Sequence, residues 1–135
     1  MRRVYIAGPM RGYANFNFDA FDAARDRLRA QGWIVVSPAD LDRAYEGWGA
    51  YPPEDLVVDR ELQIRCISRD LAAIQTFDKT KGDAIYLLKG WQKSAGALAE
   101  LALAQFLGLE VYVEDRRDHV LLACLADFHQ CAEAA

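Results

Sequence analysis

Ser94, Gly96 and Glu100 fall within a single stretch, GDAIYLLKGWQKSAGALAELALAQFLGLEVY, residues 82–112. The apolar run Ala84 to Leu88 reads as a buried strand broken at Lys89-Gly90-Trp91, and an alanine-rich helix starts near Ser94. The first N–H groups of a helix lack internal partners and its dipole is positive there, so this turn is suited to holding an anion. Ser94 can cap that end or lend its hydroxyl to a phosphate, and Gly96 keeps the first turn open. Glu100 follows four residues later, one helical turn along the same face. A carboxylate there suits attack on a sugar bound by its phosphate. Each residue also has a structural explanation: serine is a common N-cap, and glutamate in an Ala/Leu helix is a common solvated helix former.

The bulk properties narrow the field. A chain of 135 residues is expected to form one domain, residues 1–135, with a real core. Hydrophobic residues at 53% and charged residues at 27% are ordinary for a soluble globular protein. The net charge of −4 argues against duplex nucleic acid as a partner, while a positive pocket can still take a small anionic metabolite. No apolar stretch approaches the ~20 residues that cross a bilayer, and MRRVYIAGPM is too weakly apolar for a secretory signal. Cys66, Cys124 and Cys131 show no CxxC spacing, so neither a disulfide framework nor a zinc site is expected, and a reducing cytoplasm fits. His119 and His129 have no partner at ligand spacing, and no Ser-His-Asp order is convincing, so no metal or cofactor is expected.

Strands are expected at Arg3 to Ala7, Trp33 to Val36, residues 83–88 and Glu110 to Val113. Helices are expected from Asn17 or Phe18 to Gln31, from Glu61 to Thr76, over about 95–108 and over about 119–132. Residues 39–56, rich in Gly, Pro, Trp and Tyr, read as a long irregular binding segment or lid. Alternating strands and helices imply an α/β fold, a flavodoxin-like or Rossmann-like three-layer sandwich with a parallel sheet of four or five strands. Such sheets bind ligands beyond the carboxyl ends of their strands, where the strand order reverses. The loops there are Gly8–Tyr13, Ser37–Gly49 and Lys89–Ser94.

Other residues near that crevice have two readings each. Tyr5 is expected in the core with its hydroxyl reaching the pocket edge. Arg11 either neutralises a ligand anion or is an exposed loop arginine. Asp70, inside a helix where aspartate has poor propensity, invites a special role. Asp83 opens a strand as an ordinary turn residue. Trp48 and Trp91 could stack on a base or pack. The loop AGPMRGYANFNF lacks GxGxxG, and there is no Walker lysine motif.

The pieces VYIAGPMRG, NFNFDAF, WIVVSPADL, SRDLAAI, DAIYLLKGW and KSAGALAELALAQFLGLEVY cover nearly the whole chain in order. In these the chain resembles the nucleoside 2-deoxyribosyltransferase-like superfamily, and is most similar to its small, largely uncharacterised bacterial and phage branch. The resemblance implies a flavodoxin-like fold, a glutamate nucleophile at Glu100, and Asp70 as the helix-borne aspartate that contacts base or sugar. Transferases acting on free nucleosides carry an aspartate six residues before the nucleophile, whereas the branch hydrolysing deoxynucleoside 5′-monophosphates carries a serine, here Ser94. A carboxylate would repel a phosphate, and a hydroxyl at a helix N-terminus can donate to it.

The resemblance therefore implies a nucleotide N-glycosidase working through a glycosyl-Glu100 ester, with nucleoside transfer or nucleotide sensing as alternatives. Ser94 and Gly96 would bind the phosphate, Gly8, Pro9 and Arg11 would line the opposite wall, and Tyr5 would reach the pocket edge. The implied partners are a small-molecule nucleotide or nucleoside and further copies of the chain, as a homodimer or higher homo-oligomer. The base, the sugar and the role of residues 39–56 stay open.

Overall fold

Strand β1, Arg3–Ala7, runs through the middle of the molecule and is buried along nearly its whole length. The structure, a computed structural model, describes residues 1–114 and the backbone of 120–122. Helix α1 spans Phe18–Ala30, strand β2 Ile34–Val36, helix α2 Pro38–Glu46 and helix α3 Arg60–Gln75. Strand β3 spans Ala84–Leu87, helix α4 Ala95–Phe106, strand β4 Glu110–Val113 and strand β5 Val120–Leu122. The sheet order is β2-β1-β3-β4-β5. The first four strands are parallel, and β5 runs antiparallel to β4. This is an α/β flavodoxin-like sandwich, with the order reversing between β1 and β3.

Side chains alternate across the sheet, as the two-residue strand period demands. Tyr5, Ala7, Ile85, Leu87 and Val111 face Ile74 of α3 and Ala97, Leu101 and Ala104 of α4. Val4, Ile6, Ala84 and Tyr86 face Phe18, Phe21, Ala24 and Leu28 of α1. Helix α2 packs against both α1 and α3. At the amino ends of the strands, the buried Asp83 carboxylate accepts the backbone N–H groups of Arg3 and Asp78, both at 2.9 Å. It is an anchor between β1 and the turn before β3, a larger role than its sequence context suggests.

Two expectations need correction. Residues 39–56 are not irregular throughout, because α2 occupies Pro38–Glu46. Ser37-Pro38 stops β2 and at the same time starts a helix: Ser37 is extended at the N-cap, proline suits the first helical position, and Gly47 ends the helix in the left-handed region. The helix expected over 119–132 is contradicted at Val120–Leu122, which add a strand to the sheet beside β4. An apolar run of that length fits either element, and an open sheet edge decides it. The remaining residues of that expected helix, with His119, His129, Cys124 and Cys131, lie outside the described residues.

Between β1 and α1 the chain makes a left-handed turn through Asn15, Phe16 and Asn17, at φ 50°, 52° and 64°. Asparagine tolerates this region and phenylalanine does not, so the turn is held from outside. Phe16 packs on the α1 face of the core, and Asn17 Nδ2 donates to the Pro9 carbonyl at 2.9 Å.

Candidate active site

Helix α4 buries Ala97, Glu100, Leu101 and Ala104, the spacing of one core-facing stripe. Glu100 therefore lies inward, only 4% exposed, and is not a solvated helix former. On α3 the buried positions Leu62, Asp70 and Ile74 likewise place an aspartate on the inner face. Tyr5 of β1, opposite Val36 on one side and Ile85 on the other in the sheet register, is fully buried and packs on the α3/α4 face of the sheet. Its hydroxyl donates to Glu100 Oε2. Asp70, 8% exposed, has an Oδ1 atom with no partner among the described residues.

Low-dielectric surroundings disfavour charge, and nearby like charges add to that effect. Burial first, and then the charge of Asp42, push the Asp70 carboxyl up to about 7, against the opposing pull of Arg69 and a Tyr5 hydrogen bond. Burial and then the charge of Asp70 hold Glu100 well above the usual carboxylate range, again opposed by Tyr5. Burial, with Glu100 and Asp70 adding, also raises the Tyr5 phenol well above its ordinary value. Buried carboxyls whose charges act on one another titrate as a pair, so one can be protonated while the other is ionised.

Sequence reasoning missed the groups behind this pair. Asp42 of α2, 4% exposed, accepts from Arg69 Nη2 at 3.1 Å. Arg69 Nη1 donates to Glu46 Oε2 at 2.7 Å, and Arg65 Nη2 donates to Glu46 Oε1 at 2.8 Å. Burial pushes the Cys66 thiol up to about 12, so it stays protonated at neutral pH. The available signal was the spacing of Ala39 and Asp42 along α2, hidden once that segment is read as a loop.

The turn expected to bind an anion is built as a helix start. Ser94 is extended, and its Oγ accepts the Ala97 N–H at 3.1 Å. Capping uses an oxygen lone pair and leaves the hydroxyl proton to donate elsewhere. A Cβ on Gly96 would lie 3.9 Å from Ser94 Oγ and 4.0 Å from Ile67 Cδ1, ordinary contacts, so the chain itself does not require glycine there. Gly8 differs: a Cβ would come within 2.7 Å of Leu88 Cβ, so β1 and β3 need a glycine where their ends meet. A Cβ on Gly90 would come within 2.9 Å of the Tyr13 hydroxyl and 3.2 Å of Pro9 Cγ. The loops after β1 and β3 thus touch over the point where strand order reverses. Pro9 is buried and Arg11 exposed. Trp48 packs near Phe18 and Trp91 packs on the α3/α4 face of the core. Among the described residues, no His, Cys, Asp and Glu group is placed to hold a metal ion, and no helix is long and apolar enough to cross a membrane.

These features define an α/β protein with a buried Tyr–Glu–Asp cluster beside the strand-order reversal of its sheet. The chain belongs to the family described as a domain of unknown function (DUF4406), whose model matches residues 2–113 and so spans every residue of the cluster. No curated protein and no solved structure matches the chain.

Proposed function

We propose that the chain is an N-glycosidase that hydrolyses the base–sugar bond of (deoxy)nucleoside 5′-monophosphates, as its resemblance to the deoxyribosyltransferase-like superfamily implies. One observation carries the reading: Glu100 is buried on the core-facing stripe of α4, met by the Tyr5 hydroxyl and adjoining a raised Asp70 that has an unpartnered oxygen. A carboxylate nucleophile and a protonated acid are the two groups glycoside cleavage requires.

In this mechanism the Glu100 carboxylate attacks the anomeric carbon while the N-glycosidic bond breaks. The bonding pair leaves with the base, which takes the Asp70 proton. Water then attacks the anomeric carbon of the glycosyl-Glu100 ester, giving its proton to the Asp70 carboxylate and freeing Glu100. Tyr5 holds Glu100 in line and its hydrogen bond stabilises the ionised form. The Ser94 hydroxyl and the open α4 amides beside Gly96 receive the 5′-phosphate, with Arg11 on the opposite wall. Aspartate at position 94 would repel that phosphate, which favours nucleotides over free nucleosides.

The test is a panel of deoxy- and ribonucleoside 5′-monophosphates and the matching nucleosides, followed for free base by chromatography. Release from monophosphates is expected. Release from nucleosides alone would overturn the phosphate assignment, and binding without release would make the protein a nucleotide-binding module.

Gly96→Ala separates the phosphate subsite from the fold. Alanine is the better helix former by roughly 1 kcal/mol and meets only ordinary contacts, so Tm is expected to hold or rise. The added methyl beside Ser94 Oγ is expected to raise KM for monophosphates about tenfold. Unchanged KM in the folded variant would remove Gly96 from the subsite.

A further inference from the structure

Helix α4 is apolar on all sides: its one charged side chain, Glu100, is buried. A helix of that kind is stable when every face is covered. Ala97, Leu101 and Ala104 rest on the sheet. Gly96 faces α3, with Ile67 Cδ1 placed 4.0 Å from where a Cβ would be. The opposite flank carries Leu98, Ala102 and Gln105, at i, i+4 and i+7. Leu98 is 44% exposed and Phe106, at the end of the helix, 85%. Gln105 Nε2 is buried with no partner among the described residues. Helix α4 lies over β1 and β3, so this flank looks toward β4 and β5. Strand β5 runs antiparallel to β4 with Leu122 opposite Val111, just past the turn that joins α4 to β4. The chain therefore leaves β5 beside the Phe106 end of α4.

We propose that residues 123–135 return along this flank as a helix antiparallel to α4, seating Leu125 and Phe128 against Leu98 and Phe106. Three features select this occupant. Leu125, Phe128 and Ala132 recur at i, i+3 and i+7, one helical face, with Asp127 on the other side. The 13 residues span roughly 20 Å as a helix and the 12 of α4 about 18 Å, so the lengths match. Tethered at Leu122, the segment meets the flank at a far higher effective concentration than a second copy of the chain. His129, four residues after Leu125 and so on the same face, can accept from the Gln105 amide.

The experiment is NOE spectroscopy on the full wild-type chain, with labelled and unlabelled chains mixed to separate contacts within a chain from contacts between chains. The Phe106 ring is expected to show contacts to Leu125 and Phe128 of its own chain. Contacts from Phe106 to α4 of another copy would overturn the proposal and make the flank a self-interface. A Phe106 ring without any contact to residues 123–135 would overturn it as well. Phe106→Asp in the full chain adds a second readout, since a charge at so exposed a site leaves the sheet intact. Amide exchange over residues 123–135 is expected to quicken by at least about tenfold in the variant, with β1 and β3 unchanged. Unchanged exchange over 123–135 in the folded variant counts against the docking, and should the variant fail to fold, the wild-type contacts decide. Neither readout needs turnover, so the outcome is independent of the glycosidase reading.

Discussion

Glu100→Gln is expected to lower kcat for base release by at least about a thousandfold while leaving KM for the nucleotide nearly unchanged. Loss of a nucleophile removes an interaction made in the transition state, whereas ground-state binding depends on other groups. Glutamine has nearly the size and shape of the buried Glu100, and its amide oxygen can still accept from Tyr5. The variant should therefore fold. It should also melt at a higher temperature than wild type at alkaline pH, because an amide never places a charge in that site. Steady-state kinetics on the variant and a pair of melting curves at pH 5 and 8 check both halves. Retained activity would transfer the nucleophile's role elsewhere, and a collapsed fold at both pH values would make Glu100 a structural residue.

Asp70→Asn is expected to remove much of the decline in stability between pH 4 and pH 8. The folded chain holds the Asp70 proton up to about pH 7, and the unfolded chain releases it near the usual carboxylate value of about 4. A raised carboxyl of this kind contributes its full stability below the unfolded value and loses it as pH rises through the folded one. The difference amounts to on the order of 4 kcal/mol by pH 8, a shift on the order of 10 °C in Tm for a domain of this size. Glu100 works in the same direction. Glu46 works in the opposite one, because its hydrogen bond from Arg65 leads in lowering it to about 2, so its contribution fades only as pH falls toward that value. Wild type should be most stable in mildly acid solution, and Asp70→Asn should flatten the alkaline side. Parallel wild-type and variant curves from pH 4 to 8 would mean Asp70 is ionised throughout.

The same titration shapes activity. A glycosidase that needs Glu100 ionised and Asp70 protonated works only while the pair holds a single proton, which gives a bell-shaped pH profile.

Much of the fold was legible because its elements carry clean periods. Strands β1 and β3 are short apolar runs ended by Gly8-Pro9 and by Lys89-Gly90, and α1 shows its inner face in Phe18, Phe21, Ala24 and Leu28. Glu100 could be read in two ways, since an Ala/Leu helix hides which side is buried. The stripe of Ala97, Leu101 and Ala104 resolves this only once the sheet beneath is known. Asp70 stood out as an aspartate in a helix interior, where its side chain competes with the backbone unless it is engaged elsewhere. Ser94 serves as the N-cap its position suggested, and that role is compatible with donation to an anion.

Each miss has its own cause. Helix α2 has only nine residues and runs into a Gly- and Trp-bearing segment, and its start signal at Ser37-Pro38 is also where β2 ends, which masks it. Losing that helix also lost Asp42, and with it the ion pairs that fix α2 to α3. Strand β5 was invisible for another reason: three apolar residues have no period to read, and only the free edge of β4 defines their state. The left-handed turn at Asn15–Asn17 reflects tertiary contacts through Phe16 and Pro9 that no local pattern encodes.

The most direct test quenches a turning-over reaction with acid and maps peptides by mass spectrometry, using a deoxynucleoside 5′-monophosphate that releases base. One deoxyribosyl phosphate is expected, esterified to the peptide bearing Glu100, and none in the Glu100→Gln chain. Base release accompanied by an unmodified Glu100 peptide and a labelled carboxyl elsewhere would contradict it.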